Sequence, residues 1–362
     1  MRPGVRPLTP IFDPEKRTGA INIGNTPDVN CLVLAYTETD ARFSGATAMA
    51  KADAFSSTAV LVALPASDTL VAVDTSGNVD EVTDATKLNG VTSIGPAGSS
   101  WIVYMDGRAT VVEESTSTLS VLGSLASGSI PAAPDVTCER SSISSDYIYP
   151  VIDSTAGTLA LFTIDSTGTP VPVLEGALTN AALVGVTSMT WGGGSYDHLI
   201  VAVPGGDQVL SIDCSTPSSP SIADTLTDAT DLAGVSGMVP FGYADAVYAV
   251  GDGVLAVIND TTPSSLSVTS STALSRGGSP LMSTGHLSLV SESQVYPTIW
   301  PSEQNVSLLD LDSGSTYGSR LLSGSPLATT WLNTQAIAVL VPSLTQVLFY
   351  TVDTCGVPIN EL

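Results

Sequence analysis

Lysine is nearly missing from this chain, with Lys16, Lys51 and Lys87 the whole supply among 362 residues. Eleven basic side chains face 35 acidic ones, for a formal net charge of −24. A field of that sign repels nucleic acid, and no basic stripe offsets it, so DNA and RNA are excluded as partners. Acid excess with scarce lysine fits a protein made for high salt, although charged residues are only 13% of the chain. Imidazole is equally scarce: His198 and His286 are the two histidines. The four cysteines, Cys31, Cys138, Cys214 and Cys355, are widely spaced with no CxxC or Cys/His cluster, which excludes a zinc site. They read as buried thiols, with a Cys31–Cys355 disulfide reserved for oxidising surroundings. No run of about 18 apolar residues is present, so no transmembrane helix is expected. The opening "MRPGVRPLTPIFDPEKRTG" has no apolar core of the kind a secretory signal carries.

Apolar residues nevertheless make up 43% of the chain and the mean hydropathy is +0.31, enough to bury a core. Ser, Thr, Gly, Ala and Val dominate, a composition that favours strands and tight turns. Within it a repeat stands out, an apolar run closed by an acid and a small polar residue. It reads "LVAVDT" at Asp74, "TVVEES" at Glu114, "LFTIDS" at Asp165 and "LSIDCS" at Asp213. It continues as "AVINDT" at Asp260, "LLDLDS" at Asp312 and "FYTVDT" at Asp353. The average spacing of about 46 residues is the period of a propeller blade. A second marker keeps step with the first, a Gly followed four residues later by Met, Ile or Ala. Its seven copies start at Gly45, Gly90, Gly128, Gly185, Gly234, Gly278 and Gly324.

The two markers predict an all-β, seven-bladed β-propeller. Each unit reads as four strands: the Gly segment innermost, an apolar second strand, a third strand ending at the acid, and a weaker outer strand. The acid and its Ser/Thr neighbours are expected to hold the turn that follows. A lone four-stranded blade cannot bury both faces, so seven must stack into a ring. Too little chain follows Asp353 to finish the last blade, and "VNCLVLAYTET" (29–39) is unused. That N-terminal strand is therefore expected to complete the last blade and close the ring. The organisation is an extended Pro-rich arm over 1–27 and the propeller over 28–362.

The stretches "VLSIDCSTPSSPSIADTL" and "VLAVINDTTPSSLSV" resemble the LVIVD repeat family, over residues 208–268. The resemblance implies a propeller of the kind common on bacterial and archaeal surface proteins, and implies little about activity.

Residues that could carry chemistry are few. Both histidines begin apolar strands and read as structural. Ser and Asp are so abundant that a Ser-His-Asp match has no meaning here. "DTSGNVDE" (74–81) resembles a calcium loop but lacks its full ligand order, which predicts no cofactor beyond weak calcium binding. "WGGGSYD" (191–197) and "GGDQ" (205–208) do not open a helix, so they cradle no phosphate. Asn259 and Asn305 head glycosylation sequons. Trp191, Tyr196, Tyr243 and Trp300 are candidate binding aromatics on blade loops. The arm holds Arg2, Arg6, Lys16 and Arg17 around Phe12, opposed only by Asp13 and Glu15, with five prolines keeping it extended. These five residues form a candidate docking arm for an acidic partner.

The function expected from this pattern is binding or assembly rather than catalysis: an interaction component of a larger assembly, a virion spike or decoration protein involved in attachment. Its partners would be other proteins of the assembly and a host glycan or receptor. Location follows as a virion or extracellular surface, with the cytoplasm as the alternative. The second reading is a cell-surface or periplasmic propeller that binds protein or glycan. The third, a metal-dependent propeller hydrolase, requires acids or histidines from several blades to converge on one ion.

Overall fold

The structure, a computed structural model, describes residues 32–352 apart from 53–57, 97–99, 116–117, 144–145, 193–196, 241–245, 275, 283–294, 312 and 334–335. The 1–27 arm therefore lies outside the described residues. Seven antiparallel sheets form a closed ring. Listed from the innermost strand outward, blade 1 is Ala48–Lys51, Ala59–Leu64, Thr69–Asp74 and Val79–Thr83. Blade 2 is Ser93–Pro96, Ser100–Met105, Arg108–Ser115 and Thr118–Ala126. Blade 3 is Val136–Thr137, Asp146–Asp153, Thr158–Asp165 and Val171–Thr179, with Ser141–Ile143 also paired to its second strand. Blade 4 is Ser188–Trp191, His198–Val203, Gln208–Asp213 and Ser221–Thr227. Blade 5 is Gly237–Pro240, Ala246–Val250, Val254–Asn259 and Ser267–Ala273. Blade 6 is Leu281–Met282, Val295–Trp300, Asn305–Asp310 and Thr316–Leu321. Blade 7 is Ala328–Asn333, Ala336–Val341 and Gln346–Val352, and its outer strand is the N-terminal Leu32–Thr39.

That last pairing is the expected closure. Leu32 lies opposite Val352, so the ends of the described chain meet in one blade. The arrangement shields the third strand of blade 7 and removes an edge. Arg320 of blade 6 reinforces it, its Nε donating to the Leu32 carbonyl at 2.6 Å.

The core is a ring of seven apolar clusters, one at each junction between neighbouring blades. Second and third strands supply most of it. Val60 and Val62 face blade 7 while Leu61 and Ala63 face blade 2, as strand alternation requires. The second and third strands of a blade are covered on both faces, hence the near-continuous apolar runs in the sequence.

The Gly marker has a specific task. It sits in the crossing between blades, three residues before most inner strands. Gly90, Gly185, Gly234 and Gly278 take φ between 56° and 95°, the left-handed region where a side chain is strained. Their neighbours do the rest. Val91, Val186 and Val235 are buried, and the next residue's hydroxyl reaches the following blade. Thr47 donates to the Val91 carbonyl (3.2 Å), Thr92 to Pro134 (2.7 Å), Thr187 to Ser236 (3.1 Å) and Ser236 to Pro280 (2.7 Å). Several Gly N–H groups are gripped from the preceding blade: Gly90 by Asp68 Oδ1 at 3.0 Å, Gly234 by Asp207 Oδ1 at 2.8 Å. Blade 3 departs from the expected pattern. Its inner strand is Val136–Thr137, beyond the marker at Gly128, because residues 128–135 are used in a longer crossing.

A turn unnoticed in the sequence recurs in blades 1, 4, 6 and 7. Pro65, Pro204, Pro301 and Pro342 open the hairpin between second and third strands. Asp68, Asp207, Gln304 and Thr345 close it at positive φ. Proline fixes the first φ of the turn without needing an N–H, which suits this position.

Candidate functional site

In a four-stranded antiparallel blade the connections alternate between two faces. One face carries the second-to-third hairpins and the blade crossings. The other carries the inner-to-second and third-to-outer loops, and the chain enters at Leu32 and leaves at Val352 on that face. The described repeat acids lie toward that face too, so this loop face is the candidate site.

Three of those acids accept hydrogen bonds from the turn that follows them. Asp74 Oδ1 accepts from the backbone of Ser76 (2.8 Å) and Asn78 (2.9 Å), and its Oδ2 accepts from Asn78 Nδ2 (2.8 Å). Both carboxylate oxygens of the calcium-like loop are thus occupied by donors. Asp165 accepts from the N–H and hydroxyl of Thr167, which hold its carboxyl below the usual carboxylate range. Asp213 accepts from Ser215 N at 2.9 Å. Blades 2, 5 and 6 are arranged differently. Glu114 lies inside its strand, which runs on to Ser115, rather than in the turn. In blade 6 the strand ends at Asp310, which accepts from Ser313 Oγ at 2.7 Å, while Asp312 lies outside the described residues. In blade 5 the turn acceptor is Asn259, bonded by Thr261 N (2.9 Å) and Oγ1 (2.6 Å). Asp353 also lies outside the described residues.

Asp260 does something else. It is fully buried at the junction of blades 4 and 5, its Oδ2 3.5 Å from Nε2 of His198, which is 1% exposed. The other imidazole nitrogen, Nδ1, lies 3.2 Å from Asp197 Oδ1. Burial alone would lower the His198 pKa, but the carboxylates of Asp260 and Asp197 together outweigh it and raise it. Gly192 covers the ring: a Cβ there would sit 2.1 Å from His198 Nε2. The signal that could have revealed this pair is the doubled polar end of "AVIND". Alternation turns one of two successive side chains inward, and here it is the acid.

The aromatic expectation is overturned for Trp191 and Trp300. They are 5% and 0% exposed, packed in the blade walls rather than offered on loops. Trp191 Nε1 donates to the Glu139 carbonyl at 2.6 Å, and Arg276 stacks 5.3 Å from the Trp300 ring. Large indoles fill the wedge between splayed sheets, and that outweighs exposure. Tyr196, Tyr243 and the arm residues Arg2, Arg6, Phe12, Lys16 and Arg17 lie outside the described residues. Cys138 and Cys214 are buried free thiols, and burial drives both pKa values up, Cys214 to about 12. Cys31 and Cys355 lie outside the described residues. Of the sequons, Asn305 is 5% exposed and bonded to Ser319 and Ser307, so its amide is unavailable in the folded protein. Among the described residues, no three His, Cys, Asp or Glu side chains group to hold a metal ion. No helix among them is long and apolar enough to cross a membrane.

No known family profile and no curated protein matches the chain. Solved structures do. Virginiamycin B lyase from Staphylococcus aureus is similar at a TM-score of 0.63 and 11% identity, over 89% of this chain and 100% of that one. The WD40 β-propeller domain of Doa1 is similar at 0.61 and 10% identity, over 89% and 97%. The β-propeller domain of Myceliophteria thermophila Cps50 (Swd1) follows at 0.59 and 11%, over 89% and 100%. At such identities the likeness establishes the fold alone. The chain is a seven-bladed β-propeller, a fold typical of interaction and scaffold domains.

Proposed function

We propose that this propeller is a non-catalytic interaction component of a larger assembly, displayed on a virion surface and involved in attachment. One observation carries the reading: the described histidine and cysteines are built into the walls between blades. His198 is clasped by Asp197 and Asp260, while Cys138, Cys214 and Tyr104 are buried. What faces outward on the loop face is a set of short carboxylate and hydroxyl turns around the point where the basic arm joins. The arm's Arg2, Arg6, Lys16 and Arg17 suit an acidic partner protein, and the acidic, lysine-poor composition suits a saline setting. The structures it is similar to include the β-propeller domain of Cps50 (Swd1) and the WD40 β-propeller domain of Doa1, each one domain of its protein. The reading assigns it no cofactor beyond weak calcium binding by surface carboxylates.

The test is quantitative mass spectrometry of purified extracellular particles and of cell membranes from the producing culture. The protein should copurify with particles at a fixed ratio to their major component. Recovery only with membranes would replace this reading with a cell-surface or periplasmic binder. A stoichiometric metal whose chelation abolishes a hydrolytic or lyase activity would replace it with an enzyme.

A further inference from the structure

Blade 3 carries an element that the other described inner-to-second connections lack. Its second strand is eight residues long, against five or six in the other blades. The extra length pairs with Ser141–Ile143, Ser142 opposite Tyr147, so the connection stands up on the loop face as a small hairpin. Tyr149 and Val151 of that strand face blade 2, and alternation puts Tyr147 on the same side. Tyr147 is 49% exposed, the one aromatic among the large apolar side chains exposed in the described chain.

Arg140 lies flat on that ring. Its Cζ is 3.8 Å from the Tyr147 ring centre, and its Nη1 is 3.5 Å from the Tyr149 hydroxyl. Arg42 is spent on Asp40 and Glu81, Arg276 on Glu303, and Lys87 and Arg320 on the carbonyls of Leu122 and Leu32. Half-buried Arg140 pairs with no carboxylate among the described residues, in a chain of net charge −24. Glu139 acts on the other side, where burial and its charge together push Tyr296 of blade 6 up to about 12. Beneath the platform Tyr104 Oη is buried with no hydrogen-bond partner, and Tyr149 is near enough to help burial raise its pKa. This corner of blades 2 and 3 thus gathers a guanidinium and two phenol hydroxyls, with no carboxylate bonded to them among the described residues.

We infer that the Arg140–Tyr147 platform binds a carboxylate carried on a sugar ring, as in a uronic acid unit of a glycan. The guanidinium, held flat by the ring behind it, offers its N–H edge to both carboxylate oxygens as a fork. Exposed Ser142, opposite Tyr147 on the paired strand, adds a hydroxyl beside the platform for the sugar's own hydroxyls. An acidic peptide fits less well. The field of this chain repels each added negative charge, whereas a uronic acid unit brings one carboxylate on an otherwise neutral ring. The inference deepens the attachment reading and rests on it for where such a glycan is met.

The experiment titrates the full chain with D-glucuronate, D-glucose and a triglutamate peptide, each followed by saturation-transfer NMR at fixed salt. Glucuronate should take up saturation and glucose should not. Arg140→Gln should weaken glucuronate binding about tenfold or more, the loss expected for hydrogen bonds to a charged group. Arg140→Lys keeps the charge without the fork and should not restore it. Tyr147→Ala, at an exposed position, should weaken binding while leaving Arg140 in place. Equal saturation of glucose and glucuronate would overturn the carboxylate assignment. Tighter, Arg140-dependent binding of triglutamate would overturn the sugar in favour of an acidic protein. Glucuronate binding that survives Arg140→Gln, or no binding at all, would overturn the site itself. None of these outcomes bears on copurification with particles, so failure here is told apart from failure of the attachment reading.

Discussion

His198 Nε2 of blade 4 lies 3.5 Å from Asp260 Oδ2 of blade 5, and both side chains are buried. The acid belongs to a repeat whose members Asp74, Asp165 and Asp213 bond their own turns, yet in this blade it was drawn into the wall. An imidazole enclosed by Asp260 on one side and Asp197 on the other makes that junction polar where its neighbours are apolar. Removing Asp260 leaves the buried imidazole with Asp197 as its one carboxylate and an emptied polar site at Nε2. Asp260→Ala should therefore cost about 3–5 kcal/mol. Asp213→Ala, which loses an exposed turn bond, should cost about 0.5–1.5 kcal/mol. Urea denaturation of both variants measures the difference.

The same pair predicts a pH dependence. The His198 pKa is raised in the folded protein, so the protonated form is the one the fold favours. Its contribution is complete below the unfolded value of about 6.5 and is lost as pH rises through the higher folded value. Wild-type stability minus that of His198→Gln, measured by denaturation at fixed salt, should shrink from pH 6 to pH 9. A difference that grows over that range would show that the imidazole is held neutral.

Glycines test the packing between blades. Gly176→Ala would place a Cβ 2.3 Å from the Pro217 carbonyl oxygen and 2.9 Å from Ser218, both backbone, so the blade 3–4 junction must open. A loss of about 1–3 kcal/mol is expected. Gly128→Ala meets nothing within 4 Å and should be neutral or gain about 0.4–1 kcal/mol. Paired melting curves decide between them.

Ring closure has its own test in Arg320. Its guanidinium donates to Leu32 across 288 residues of sequence. Arg320→Ala should cost about 1.5–3 kcal/mol, the range for hydrogen bonds to charged groups. Exchange of Leu32–Thr39 should quicken more than that of Gln208–Asp213 in blade 4. Uniform quickening would mean that closure and ring open together.

The acid-ended strands and the Gly crossings were legible because each solves a local problem. An Asp that bonds its own turn, as in blades 1, 3 and 4, and a Gly that alone tolerates positive φ, as at four of the crossings, leave a recurring mark in the chain. The closing strand was legible as well, since an unfinished last unit and an unused first strand have one economical pairing. Trp191 and Trp300 depart from the expectation for a related reason. A tryptophan at a strand end looks the same whether it faces solvent or the next sheet, and Trp191 and Trp300 face the next sheet. Glu114 and the blade 3 inner strand shifted because strand lengths are set by the partner strand's register, which no local pattern contains.

The sequence by itself determined the number of blades, their four-stranded plan and the way the ring is fastened, because periodic burial on both faces of a sheet permits little else. Tertiary structure alone decided which polar groups meet across a junction. His198 and Asp260 stand 62 residues apart, and only the stacking angle of two neighbouring blades brings an imidazole to a carboxylate.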